Sequence, residues 1–152
     1  APRAKQLYIM TDAKREADYY SIPFGNIIDP FGEPVKRAFS LFPYMQEIGQ
    51  DIEYCSNYLR AAWAEGTDIT TDTGLRAVVT ESGGSWEEAI KRNDDWSSLL
   101  DNNAADMLGN GLWGVPSFRV SGVFKESFSC WGQDRLWRVE TEISRRAKSR
   151  HQ

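Results

Sequence analysis

Apolar positions recur at helical spacing through most of this chain. Leu7, Met10, Ala13, Ala17 and Tyr20 fall three or four apart and predict a helix from Ala4 to about Tyr20. Pro23, Gly25, Asp29-Pro30, Gly32 and Pro34 then punctuate an irregular connection. Pro34 suits a first helical position, with Val35, Ala38, Phe39 and Phe42 following on one face. Pro43 has no amide hydrogen and crowds the preceding turn, so it should end or kink that helix near Phe42. From Gln50 to Glu65 the pattern is cleaner: Ile52, Cys55, Leu59, Ala62 and Trp63 form a stripe, and Gly66 is a suitable terminator. Cys55 is therefore expected to be a buried structural thiol. Shorter helices follow near Thr73–Glu81 and Ser85–Lys91, the latter opened by Ser85 and Glu88 as a capping box. A further helix runs from about Asp95 to Leu108, closed by Gly109, with Trp96, Leu99, Leu100, Asn103 and Met107 on one face. Asn103 in such a stripe needs partners, because an unpaired buried amide costs about 1–3 kcal/mol.

After Gly111 the periodicity changes. Ser117 to Val120 alternates and is β-prone, Ser121-Gly122 marks a turn, and Val123 to Cys130 predicts a second strand. A last helix begins near Gln133-Asp134 and runs through Leu136, Val139 and Ile143 into the basic tail Arg145-Arg146-Ala147-Lys148-Ser149-Arg150. The outline is a long helical block, then a hairpin, then a helix.

Composition narrows the function classes. A chain of 152 residues, 41% hydrophobic and 26% charged, fits one ordinary globular domain rather than a disordered segment. The net charge of -4 argues against general polyanion binding, and the basic tail reads as a solvated helix end that suits the macrodipole. Cys55 and Cys130 form no Cys-x-x-Cys pair, which argues against dithiol chemistry and a disulfide scaffold. The lone histidine, His151, adjoins the last residue and leaves no basis for Ser-His catalysis or a histidine metal site. No apolar run approaches the roughly 18 residues of a membrane span, and a cytoplasmic setting is the expectation.

Two segments have the chemistry for a site. In Gly111-Leu112-Trp113-Gly114-Val115-Pro116-Ser117-Phe118 a proline enters a strand to whose ladder it cannot donate. A cis Val115-Pro116 peptide would leave the Val115 backbone facing outward, open to pairing with a peptide ligand; a trans proline would merely start an edge strand. In Trp131-Gly132-Gln133-Asp134-Arg135, glycine turns the chain into a helix whose first amides suit a ligand carboxylate, with Asp134 available to an ammonium. Asp134 could instead simply cap the helix, with Arg135 on the surface.

Taken together, Gly-x-x-Gly-Val-Pro-Ser-Phe, a hairpin, and Trp-Gly-Gln-Asp-Arg-Leu resemble the end of 2-hydroxychromene-2-carboxylate isomerases and kappa-class glutathione transferases. Trp63-Ala64-Glu65-Gly66-Thr67-Asp68-Ile69 and the Asn103 helix are similar to that family's helical block, and Ala1-Pro2-Arg3-Ala4-Lys5 to the helix after its second strand. The resemblance implies an α/β, thioredoxin-like (DsbA-like) fold with a large helical insertion, mostly helical here, ending in a β-hairpin and a helix. Residues 1–152 would form a single domain, 4–110 its mainly helical part and 111–148 the C-terminal thioredoxin half with a cis proline. The Val115 backbone and Pro116 would pair with the cysteinyl part of glutathione, and Gln133 and Asp134 would hold its γ-glutamyl end. Asn103, Trp113 and Trp131 would border the substrate, a small aromatic acid. In that family glutathione thiolate adds reversibly to a conjugated substrate, permits rotation about the former double bond, and leaves.

The resemblance places the family's first strand, first helix and second strand ahead of Ala1, together with the hydroxyl residue that contacts the glutathione sulfur. The catalytic residue is therefore unknown here, and the expectation is of an incomplete chain that forms a homodimer or joins a chain supplying those elements. The Asn26 to Pro34 loop lies where the family places another ligand-contacting asparagine, matched either by Asn26 or by a position that here lacks amide chemistry. Three activities compete: a glutathione-dependent isomerase or transferase, a non-catalytic binding or assembly module, and, last, a DsbA-type disulfide oxidoreductase. No nucleic acid, membrane or metal is expected.

Overall fold

The computed structural model describes residues 2–29, 32–92, 96–122 and 124–149. Within them run α1 (Arg3–Tyr19), α2 (Glu33–Glu47), α3 (Asp51–Trp63), α4 (Asp72–Glu81), α5 (Trp86–Lys91), α6 (Trp96–Gly109), β1 (Ser117–Val120), β2 (Phe128–Trp131) and α7 (Leu136–Lys148). The expected order of helical block, hairpin and helix is what the backbone shows. Expectations resting on Ala1, Pro30, Asp95, Val123, Arg150 and His151 fall outside the described residues. The chain divides into two compact units, Ala1–Leu99 and Leu100–Gln152.

The first unit holds the apolar core. Ala38, Leu41 and Met45 of α2 meet Tyr54, Ala61 and Ala62 of α3, Leu75, Val78 and Val79 of α4, and Trp86 and Ala89 of α5. Most polar groups inside it are matched, as burial requires, the exception being the Tyr58 hydroxyl, which is buried without a partner among the described residues. The Tyr54 hydroxyl donates to the Ala38 carbonyl at 2.9 Å. Asn57 Nδ2 donates to Ser82 Oγ at 3.0 Å, and that hydroxyl donates to the Val78 carbonyl. Ser85 Oγ accepts from the Glu88 amide, but the reciprocal half of the capping box is missing: the Ser85 amide donates to the Tyr44 hydroxyl and Glu88 pairs with Lys91.

Several helical faces differ from expectation. Pro43 lies inside α2 without ending it. A proline there forfeits the bond to the Phe39 carbonyl, and burial of Leu41, Tyr44 and Met45 on either side holds the helix together. Helix α3 is rotated by about one residue, roughly 100°, from the expected stripe. It buries Tyr54, Asn57, Ala61 and Ala62 and leaves Ile52 81% exposed, with Leu59 and Cys55 also at the surface. The hydrogen bonds of Tyr54 and Asn57 explain the choice, because they satisfy polar groups that a simple apolar count treats as outward-facing. Helix α1 buries only Ala17, leaving Leu7 and Met10 exposed. Asn103 of α6 is exposed, so the expected burial of its amide does not arise.

In the second unit β1 and β2 pair antiparallel, Ser117 opposite Trp131 and Val120 opposite Phe128, and α7 packs on both strands. A 3-10 turn, Gln133–Arg135, leads into α7. Strand β2 is shorter than expected, beginning at Phe128. In the preceding segment the Gly122 and Glu126 carbonyls are taken by the guanidinium of Arg146, which is buried, against the expectation of a solvated basic tail.

Candidate ligand-binding site

The Val115–Pro116 peptide is cis. Val115 is 81% exposed, and its amide and carbonyl make no hydrogen bond among the described residues. The next carbonyl, that of Pro116, accepts from the Gly132 amide at 3.0 Å, extending the ladder one step beyond Ser117 and Trp131. The segment entering β1 is thereby tied to the segment leaving β2.

Side chains reinforce the tie. The Ser117 hydroxyl donates to the Gly114 carbonyl. The Trp131 indole lies so close over Gly114 that a Cβ there would stand 2.7 Å from Nε1. Trp113 packs on Trp131 with ring centroids 4.7 Å apart at 35°. Trp113 is mostly exposed and Trp131 half-exposed, so Trp113, Val115 and Trp131 present apolar surface beside the Val115 backbone.

Gly132 has φ of 103°, in the region side chains rarely enter. A Cβ on it would also meet Asp134 Oδ1 at 2.5 Å, so the Asp134 carboxylate is folded against the backbone that bonds Pro116. Gln133 and Asp134 are both exposed on the 3-10 turn. Asp134 makes no capping bond to a backbone amide; its partner is Arg135. Of the sequence-predicted site residues, Val115, Pro116, Gln133, Asp134, Trp113 and Trp131 thus belong to one continuous hairpin-and-turn, while Asn103 stands on α6 with no side-chain hydrogen bond among the described residues. The roles of Gly114 and of the Arg135 pairing carried no signal at the level of sequence, since each depends on close approach in space.

Asn26, in the first unit, is held by its backbone: it bridges in parallel to Glu65, flanked by the Gly25 amide on the Trp63 carbonyl and the Ile28 amide on the Ala62 carbonyl. Among the described residues no group of three or more histidine, cysteine, aspartate or glutamate side chains is placed to hold a metal ion. None of the described helices is long and apolar enough to cross a membrane.

A comparison with curated proteins finds no match to this chain. A family model described as a DSBA-like thioredoxin domain matches residues 2–144, which takes in the helical block, the cis proline, the hairpin and most of α7. The chain belongs to the DSBA-like thioredoxin domain family.

Proposed function

We propose that the chain is the recognition part of a glutathione-dependent isomerase of the 2-hydroxychromene-2-carboxylate type, or of a kappa-type glutathione transferase. The observation that carries this reading is the free Val115 backbone joined, through the Gly132–Pro116 hydrogen bond, to a turn bearing an exposed carboxylate at Asp134. Glutathione is a peptide with an ammonium at one end. Val115 offers it one free amide and one free carbonyl, as strand addition requires. Asp134 offers a charge-assisted acceptor for the ammonium, and Gln133 a neutral amide beside it. The residues present therefore fit the group. Bound there, glutathione would supply a thiol nucleophile; the chain's own contribution is to orient the peptide along β1 and to offer it the apolar Trp113 and Trp131 rings.

A non-catalytic binding module is the second reading, and the exposure of the site favours it. Catalysis by thiolate gains from a closed, dry environment, whereas Val115 and Trp113 are 81% and 68% exposed.

A titration with reduced glutathione, followed by tryptophan fluorescence, tests the proposal. Trp113 and Trp131 border the site and should report binding. Asp134→Ala should weaken it, by an amount between the about 1 kcal/mol of an exposed ion pair and the about 3 kcal/mol of a desolvated charge-assisted bond, or roughly five- to hundredfold. If the wild type gives no saturable response, the glutathione reading fails.

A further inference from the structure

Among the described residues of the second unit every large apolar side chain is at least partly exposed, and the one buried side chain is that of Arg146, 5% exposed. A buried guanidinium is tolerated only where its hydrogens are matched. Here Nε donates to Glu142 Oε1 at 2.6 Å, Nη1 to the Gly122 carbonyl at 3.0 Å and Nη2 to the Glu126 carbonyl at 2.9 Å. The Phe124 ring centroid lies 5.2 Å from the guanidinium carbon. One acceptor belongs to α7 and two to the segment between β1 and β2, so a single planar group rivets helix to hairpin. Arg145 is the contrast next door. It pairs with the same Glu142 and faces the same Phe124 at 4.5 Å, yet its side chain is 56% exposed and it holds neither hairpin carbonyl.

The rivet sits at the opposite end of the hairpin from the candidate site. Val115 leads into β1, while Gly132 and Asp134 follow β2 and open the way into α7. The placement of Val115 relative to Asp134 therefore depends on two polar joints: the Gly132–Pro116 bond near the site, and Arg146 at the far end. Among the described residues the apolar side chains between α7 and the strands are only partly buried, so the second joint adds what a fuller core supplies in a larger unit.

We infer that Arg146 is a positioning residue for the Val115–Asp134 site, holding α7 against the hairpin through the Gly122 and Glu126 carbonyls. The inference rests on the glutathione reading only for its ligand. The test uses the full chain as wild type, Arg146→Ala, Arg146→Lys and Arg145→Ala, with amide hydrogen exchange and the glutathione titration read together. In Arg146→Ala the amides of β1, β2 and Gly132 should exchange about tenfold faster or more, while those of α3 and α4 keep their protection. Its affinity for glutathione should fall at least about fivefold, on the order of 1 kcal/mol, after correction for any unfolded fraction seen in the near-ultraviolet dichroism of the tryptophans. Lysine retains the charge and can reach fewer acceptors, so Arg146→Lys should restore both properties in part; Arg145→Ala should leave both near wild type. Hairpin exchange unchanged in Arg146→Ala, or an affinity loss wholly explained by unfolded protein, overturns the inference. If the wild type itself ignores glutathione, the proposed function falls, and exchange at Gly132 and Asp134 in the Arg146 variants decides the positioning role alone.

Discussion

The Gly132 amide donates to the Pro116 carbonyl at 3.0 Å, and this bond joins the two halves of the candidate site. The Gly132 backbone has φ of 103°, and the Asp134 carboxylate occupies the space where a Cβ would stand. Gly132→Ala should therefore lower stability by about 1–3 kcal/mol, the usual range for a side chain held in such a conformation. It should also push Asp134 away from the turn. Urea unfolding gives the first effect and a glutathione titration the second; an alanine variant as stable and as tight-binding as wild type would mean that the turn is not under this constraint.

Two other glycines should respond in opposite ways. At Gly74 an added Cβ meets the Asp68 backbone carbonyl at 2.1 Å, inside the core unit, where nothing can swing aside. Gly74→Ala should cost about 3 kcal/mol or somewhat more, at the upper end of overpacking effects. At Gly114 the obstacle is the half-exposed Trp131 ring, which can move outward. Gly114→Ala should cost under about 1 kcal/mol while weakening the near-ultraviolet dichroism of the Trp113–Trp131 pair. Thermal unfolding and circular dichroism of the two variants separate these outcomes.

Acid should loosen the second unit through Glu142. Hydrogen bonds from Arg145 first, and then from Arg146, hold the Glu142 carboxyl down to about 2 from an ordinary 4.5. A depressed folded value means that the ionised carboxylate stabilises the fold above about pH 4.5, and that this contribution fades as pH falls from there toward about 2. Protection of the β1 and β2 amides, taken relative to their intrinsic exchange rates at each pH, should fall through that window in the wild type. Glu142→Gln should be less protected at neutral pH and lack the acid step; an identical acid profile in the variant would remove Glu142 from the account.

Cys55 should be accessible but sluggish. It lies at the surface of α3, where residual burial first and the nearby Asp51 second push its thiol above the ordinary cysteine value. Thiolate is the reacting species, so iodoacetamide at pH near 8 should label Cys55 more slowly than free cysteine, and Asp51→Asn should speed the reaction. Labelling as fast as free cysteine would contradict the assigned environment.

What was legible in the sequence followed from local rules. The helix order came from three-to-four spacing, and the hairpin and final helix from the change of period after Gly111. The joint role of Val115-Pro116 and Gly132-Gln133-Asp134 came not from such rules but from the family resemblance carried by two short motifs that individually said little. Rotation of α3 was hidden because Tyr54 and Asn57 are buried through partners sixteen and twenty-five residues away in sequence. Survival of α2 through Pro43 depends on tertiary burial that overrides a local penalty. Arg146 was hidden for the same reason: in a run of basic residues only the spatial approach of Gly122 and Glu126 distinguishes the buried guanidinium from its solvated neighbours.

The central claim is that Val115 and Asp134 form one recognition surface for a glutathione-like peptide. Amide chemical-shift mapping during a titration with reduced glutathione measures this most directly, because it reports the free Val115 amide itself. Saturable shifts at Val115, Gly132, Gln133 and Asp134, with the first unit unmoved and the Val115 shift diminished in Asp134→Ala, are the predicted result. Shifts that leave Val115 in place, or that are equal in wild type and Asp134→Ala, would contradict it.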